Sequence, residues 1–437
     1  MECILEFIKN PALISVILLC ILCIKKINVL LAIIISTITA GLLSGMNIKH
    51  IMNVFISGMG GNSETALSYI LLGAFAATMA HSGFTDVIAS KINGIVNNNK
   101  YFLLLILTLI AMASQNIIPI HIAFIPIIIP PLLSTMNKLK IDRRAVACCL
   151  AFGLKMPYIV IPAGFGLIFQ NLIADNMVQN GVVVSRNSIW PPLIVLGIGM
   201  FVSLLIAIFI SYRKPREYKD VTEIKSESQT QFCIKHWVVI LAALATFIVQ
   251  ILTQSLPLGA LVGLGIIFSF KVIPQNKMDH MMNEGIYLMG YIAFVMLVAA
   301  GFASVLKDTG AIEGLVNTVL PILPQNIIAT SLIILVIGLF VTIGIGTSFG
   351  TIPILAVLFI PICVKLGFNV NQIIILLAAA AALGDAGSPA SDTTLGPTAG
   401  LNADNQHNHI FDTCIPTFLH YNIALIVFAI LGIWIFG

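Results

Sequence analysis

Between Ile373 and Leu383 the chain is wholly apolar. It then enters Gly384-Asp385-Ala386-Gly387-Ser388-Pro389-Ala390-Ser391-Asp392-Thr393-Thr394, with two carboxylates, four hydroxyls, two glycines and a proline where a lipid-spanning helix should continue. Hydrocarbon offers no hydrogen bonds, so such backbone is tolerated only where protein covers it or where it lines a wet cavity. An acid inside a membrane is costly and marks a functional site by default. The segment therefore restricts the chain to folds that enclose a polar solute or ion within a bilayer.

The rest of the sequence agrees with a membrane setting. Of 437 residues, 59% are apolar and only 9% charged, against about 25% charged in soluble domains. The apolar residues come in runs long enough to span roughly 30 Å of hydrocarbon. They are continuous rather than alternating, which argues against a β-barrel. A net charge of +4 fits basic cytoplasmic loops and implies no nucleic-acid partner. The first apolar run follows Lys9 without a small-residue cleavage site and reads as a retained span. Cys20 and Cys23 have C-x-x-C spacing but lie within that run, and Cys148-Cys149 are adjacent. Small apolar packing explains both better than metal or redox chemistry.

Apolar runs and their breaks divide the chain into N-terminal spans (1–56), a first unit (57–212), a polar loop with two linking spans (213–284), a second unit (285–403) and a last span (404–437). The two units share an order of features. The stretch 74–83 aligns with 301–310, each followed three residues later by an acid, Asp86 or Glu313. Ile117-Ile118-Pro119-Ile120 matches Thr351-Ile352-Pro353-Ile354, with Pro126 and Pro361 downstream. The interrupted helix Gly153…Pro157 corresponds to Gly384…Pro389.

Basic residues fix the orientation. Lys25, Lys26, Lys91, Lys100, Lys138, Lys140, Arg143, Arg144 and the loop from Arg213 to Lys235 flank the first unit, whereas the matching flanks of the second hold only Lys307 and Lys365. By the positive-inside rule the basic ends face the cytoplasm, and the second unit is an inverted copy. Segments 101–136 and 326–364 must each return to the side they left, as re-entrant hairpins or pairs of spans. The expected fold is an all-α polytopic membrane protein with two inverted-topology repeats, re-entrant hairpins and broken transmembrane helices. This is the layout of secondary transporters, with the site at the repeat interface.

Three polar clusters could carry the chemistry: Ser114-Gln115-Asn116 with Pro119 and His121; Gly344 to Thr351 with Pro353; and the 384–394 segment. Hard cations prefer such oxygen-rich sequences, and exposed half-helix N-termini can hold a solute carboxylate. Small residues also serve close helix packing, but packing does not require Asp385 or Asp392. Lys155 and Pro157 occupy the first-unit counterpart of the acidic segment, where no acid occurs. The Lys155 ammonium is placed to replace one cation and to pair with Asp385 or Asp392. His121 follows a broken stretch and either packs or titrates. Asp404-Asn405-Gln406-His407-Asn408-His409 reads as a solvated turn. Glu64 reads as a first-turn acid complementing a helix dipole. No H-E-x-x-H or G-x-S-x-G element supports an enzyme.

Gly346-Thr347-Ser348-Phe349-Gly350-Thr351 and Gly384-Asp385…Ser388-Pro389…Ser391-Asp392-Thr393-Thr394 resemble the two signature segments of the NhaC-like Na+/H+ antiporter family. Residues 27–83, with Gly58-Met59-Gly60-Gly61…Glu64-Thr65-Ala66-Leu67-Ser68-Tyr69, resemble a branch named for amino-acid permeases, histidine among the suggested substrates. The resemblance implies kinship with the ion-transporter superfamily: a scaffold with a mobile transport body, homodimers and elevator-type alternating access. It implies cation ligands at Thr347, Ser348, Thr351, Asp385, Ser388, Ser391, Asp392 and Thr393, with Ser114, Gln115 and Asn116 as the first-unit partner cluster. The expected solute contacts are Ser114, Gln115, Asn116, His121, Lys155, Pro157, Ser388 and Pro389.

The leading expectation is a multi-pass cell-membrane transporter that imports a small polar solute, an amino acid such as histidine, with Na+ or H+ as coupling ion and no other cofactor. Na+/H+ exchange without an organic solute is the alternative; there one of the acids would bind Na+ and H+ in turn.

Overall fold

Continuous apolar runs lack the period of two that a half-buried strand requires, and in lipid a helix satisfies every backbone group within its own segment. The computed structural model follows this logic. It describes residues 9–437 apart from 26, 85–86, 88–98, 117–124, 220–231, 254, 320–322, 346 and 390. Among the described residues no strand occurs.

The helices, in chain order, are α1 (Pro11–Ile24), α2 (Val29–Leu43), α3 (Ile48–Met59), α4 (Ser63–His81), α5 (Lys100–Asn116), α6 (Ile125–Lys138), α7 (Arg143–Val160), α8 (Phe165–Gln179) and α9 (Trp190–Ile206). They continue with α10 (Ile234–Thr253), α11 (Leu256–Ser269), α12 (Met278–Asp308), α13 (Ala311–Val319), α14 (Ile327–Ile345), α15 (Ser348–Lys365), α16 (Val370–Ala382), α17 (Asp392–Leu401) and α18 (Ile423–Ile435). The stretches Arg186–Ser211, Ile234–Thr253, Met289–Asp308, Ser348–Lys365 and His409–Ile435 are each long and apolar enough to cross a membrane; α7 and α8, bent by 47°, make a sixth such span.

Two bodies pack side by side. In one, α4 lies along α12, with α2, α3 and α11 around them. Glycines allow that approach: a Cβ on Gly285 would stand 2.2 Å from the Ala74 nitrogen, and one on Gly73 would stand 2.6 Å from the Gly285 carbonyl. The second body pairs its helices crosswise. α5 packs on α7 and α14 on α16, while α6 packs on α17 and α15 on α8. Together α5 and α6, like α14 and α15, thus contact the first half of one broken helix and the second half of the other.

The second hairpin turns at Thr347, the N-cap of α15. Its tip residue Ser348 lies 2.7 Å from Asp385, beyond the end of the 13-residue α16, about 20 Å of helix from Val370. The tip of the hairpin therefore lies at the level of the break. Pro119 and His121 lie outside the described residues.

The structure corrects one expectation at the basic end. The 404–409 turn is solvated at Asn405 and Asn408, which are exposed, but His407 is buried, and its Nε2 lies 2.7 Å from the Thr413 hydroxyl. The cause is coverage by neighbours. Arg143 binds Asp404, Arg216 binds Asp412, and Lys219 donates its N–H to Gln406. Burial drives the His407 pKa down to about 4; Asp412 opposes the shift, and Arg143 and Arg216 reinforce it. The neutral ring is thus favoured by folding, and the unfolded chain binds more protons between about pH 4 and 6.5. Stability from this group is complete above that window and is lost as pH falls through it. We expect thermal melts of wild type and His407→Gln to diverge across that window, with wild type the steeper; parallel profiles would contradict the assignment.

Candidate functional site

The site lies where the two broken helices cross. On the first, Pro157 lacks the N–H that would bond to the Gly153 carbonyl, yet α7 continues to Val160 before breaking at 161–164. Lys155 and Tyr158 therefore project from intact helix. Gly164 has φ +57, and a Cβ there would stand 2.5 Å from the Gln115 carbonyl. Asn116, the last residue of α5, serves the carbonyls the break frees: its Nδ2 lies 2.7 Å from the Ala163 oxygen and 3.2 Å from that of Ile161. Among the described residues its own Oδ1 is buried without a partner, as is Oε1 of Gln170, whose Nε2 donates to the Ile159 carbonyl. Two orphaned acceptors at one break suit a bound cation or an ammonium donor, since an unsatisfied buried acceptor is otherwise costly.

The second break opens at Gly384, with φ +78; a Cβ there would stand 2.7 Å from the Ile343 nitrogen. Asn422 bridges it, accepting from the Gly384 N–H at 2.9 Å and donating to the Ala386 carbonyl at 2.7 Å. The break holds Asp385 inside the protein. Its Oδ2 accepts from Lys155 Nζ at 3.0 Å, from the Tyr158 hydroxyl at 3.1 Å and from the Ser348 hydroxyl at 2.7 Å. Its Oδ1 accepts from Ser391. The Ser391 hydroxyl lies 2.8 Å from that of Thr393, which donates to the Asp385 carbonyl. Lys155 is fully buried, and among the described residues Asp385 is its one ionic partner.

Rings seal one flank. Tyr69 of α4 meets Phe165 and Phe349 edge-on, at 5.4 and 5.7 Å between centroids. Tyr158 sits 5.1 Å from Phe169 and 5.2 Å from Phe349.

The expected site residues divide accordingly. Asp385, Ser348, Ser391, Thr393 and Lys155 form one connected network. Ser114, Gln115 and Asn116 are buried at the first break, Ser114 donating to the Ala111 carbonyl. The Pro157 carbonyl accepts the Ile161 N–H at that break. Ser388 is buried and donates to the Ile343 carbonyl. Thr351 donates to the Thr347 carbonyl, so these two order the hairpin tip. Asp392 opens α17 just after its N-cap Ser391, where an acid complements the helix dipole. Pro389 is exposed, and its carbonyl faces His409 Nε2 at 2.9 Å. His121 falls outside the described residues. Sequence reasoning missed Tyr158, Gln170, Asn422 and Tyr69. The only signal any of them gave was a polar group within an apolar run, which packing explains equally well.

Residues 149–433 match the family model described as the Na+/H+ antiporter family, and residues 10–96 match a second Na+-H+ antiporter family model. A membrane protein of Vibrio parahaemolyticus is 46% identical over 96% of this chain and 98% of its own length. YuiF of Bacillus subtilis, named as a candidate amino acid transporter, is 42% identical over the same shares. Among solved structures, the YdaH transporter of Alcanivorax borkumensis covers 89% of this chain and 88% of its own, with a TM-score of 0.59 and 12% identity. MtrF of Neisseria gonorrhoeae, described within a class of antimetabolite efflux pumps, covers 89% and 84% with a TM-score of 0.60 and 14% identity. At such identities the likeness speaks to the fold.

Proposed function

The chain belongs to the Na+/H+ antiporter family, and from that premise we propose that this multi-pass membrane transporter imports a small polar solute, an amino acid such as histidine, driven by Na+ or H+. The observation that carries the reading is the Lys155–Asp385 pair, buried where two broken helices and a hairpin tip converge. In this arrangement the ammonium neutralises the acid. Displacing it would leave Asp385, Ser348, Ser391 and Thr393 as an oxygen-only set that suits a hard cation. The orphaned acceptors of Asn116 and Gln170 would meet the ammonium of an amino acid, and the breaks' helix N-termini its carboxylate.

Crosswise packing of the hairpins supports two inverted repeats. The seam between the two bodies supports elevator-type access. Gly58, Gly61, Ala300 and Ala303 line a cavity of about 250 Å³ there, at the end away from the basic loops, with Asn62 and Lys307 on its walls. Small residues offer little steric resistance to sliding. A homodimer in the bilayer completes the proposal.

Proteoliposomes test it. An imposed Na+ or proton gradient should drive accumulation of at least one labelled amino acid. A Na+ gradient that shifts lumenal pH while no amino acid accumulates would replace this reading with Na+/H+ exchange alone.

A further inference from the structure

We propose that His81, His280 and Glu284 bind a transition-metal dication of the zinc class at the basic end of the α4–α12 pair. His81 ends α4; His280 and Glu284 stand four residues apart on the first turns of α12, and so on one face of it. Glu284 already holds both rings, one oxygen 3.3 Å from His81 Nδ1 and the other 3.3 Å from His280 Nε2. One ligand atom from each of the three residues lies within 4.8 Å of the other two.

Zinc with bonds near 2.0–2.1 Å needs ligand atoms about 3.4 Å apart. The side chains are 36%, 60% and 34% exposed, so small rotations close the difference without moving backbone. Two imidazoles and one carboxylate form an open three-ligand set, with a fourth position for water. Nitrogen donors favour zinc-class ions over Mg2+ or Na+, which prefer oxygen.

The platform is rigid, because the two helices meet through Gly73 and Gly285, the latter adjacent to Glu284. A bound ion would cross-link the ends of this pair. Both helices belong to one body, so the site needs no part of the Asp385 network and stands independently of the transport proposal.

The test is Zn2+ titration of chelator-treated, full-length protein in detergent, followed by calorimetry and thermal unfolding. We expect saturable 1:1 binding and a rise in melting temperature, since a ligand that binds only the folded state stabilises it; Mg2+ should produce no rise. His280→Ala and His81→Ala should each weaken Zn2+ binding by at least about tenfold, given that even outer-shell partners are worth that much. Glu284→Gln should weaken it while preserving the side chain's shape. No saturable binding to wild type below millimolar Zn2+ would overturn the proposal. So would undiminished binding in both histidine variants. A third overturning result would be loss in Cys233→Ser alone, which would move the ion to the nearby Cys233–His236 pair.

Discussion

Asp385→Asn is expected to abolish gradient-driven uptake and to lower the melting temperature, and adding Lys155→Met should restore the stability but not the uptake. The acid is the hub of four side-chain contacts. Removing its charge strands a fully buried ammonium. Breaking one partner of a buried pair costs about 3–5 kcal/mol, whereas replacing both with neutral groups is often close to neutral. The double variant separates the two roles, since it removes the stranded charge while leaving no carboxylate for a cation. Thermal unfolding in detergent and proteoliposome uptake read the two outcomes on the same preparations. Full uptake by Asp385→Asn would remove Asp385 from the transport site. An equal loss of stability in the single and double variants would show that the charge pair is not the source of the cost.

Arg143→Ala should destabilise the protein by a similar amount, on the order of 3–5 kcal/mol, and Arg143→Lys should recover only part of it. The guanidinium is fully buried. It binds both oxygens of Asp404, the Leu401 carbonyl at 2.9 Å and Asn137 Oδ1 at 3.0 Å, and it stacks on Tyr218 at 4.3 Å. It thereby fastens the start of α7 to the end of α17. A lysine carries the charge but not the fork that reaches several acceptors at once. Burial alone would raise the Asp404 pKa, but the hydrogen bonds and charge of Arg143 hold it below its usual value. The contribution is therefore present above the ordinary carboxylate range and is lost in acid. Melts at neutral pH and in acid check both statements. A lysine variant as stable as wild type would show that charge alone suffices.

Much of this architecture was legible in the sequence because lipid enforces a strict rule on backbone polar groups. The glycines, prolines and hydroxyls of 384–394 could only mark a break, and Asp385 could only be functional or paired. The repeat pointed Lys155 at an acid, and the structure selects Asp385 rather than Asp392. What stayed hidden were partners set by packing across long separations. Tyr158 reaches Asp385 across 227 positions, and Asn422 bridges a break 36 residues before it. A hydroxyl or amide in an apolar helix looks the same whether it serves its own backbone or a distant one. His407 misled for the converse reason: its neighbours in sequence are polar, but its neighbours in space are Thr413 and the Arg143–Asp404 clamp.

The crosswise packing of the hairpins has a bearing on modularity. Because α6 lies on α17 and α15 on α8, neither half owns a complete surface. A chain ending within 220–231 would leave α6 without α17 and α8 without α15. The two units are therefore not separable parts but one interleaved object. A gene split within those residues should yield stable protein only when both pieces are made together.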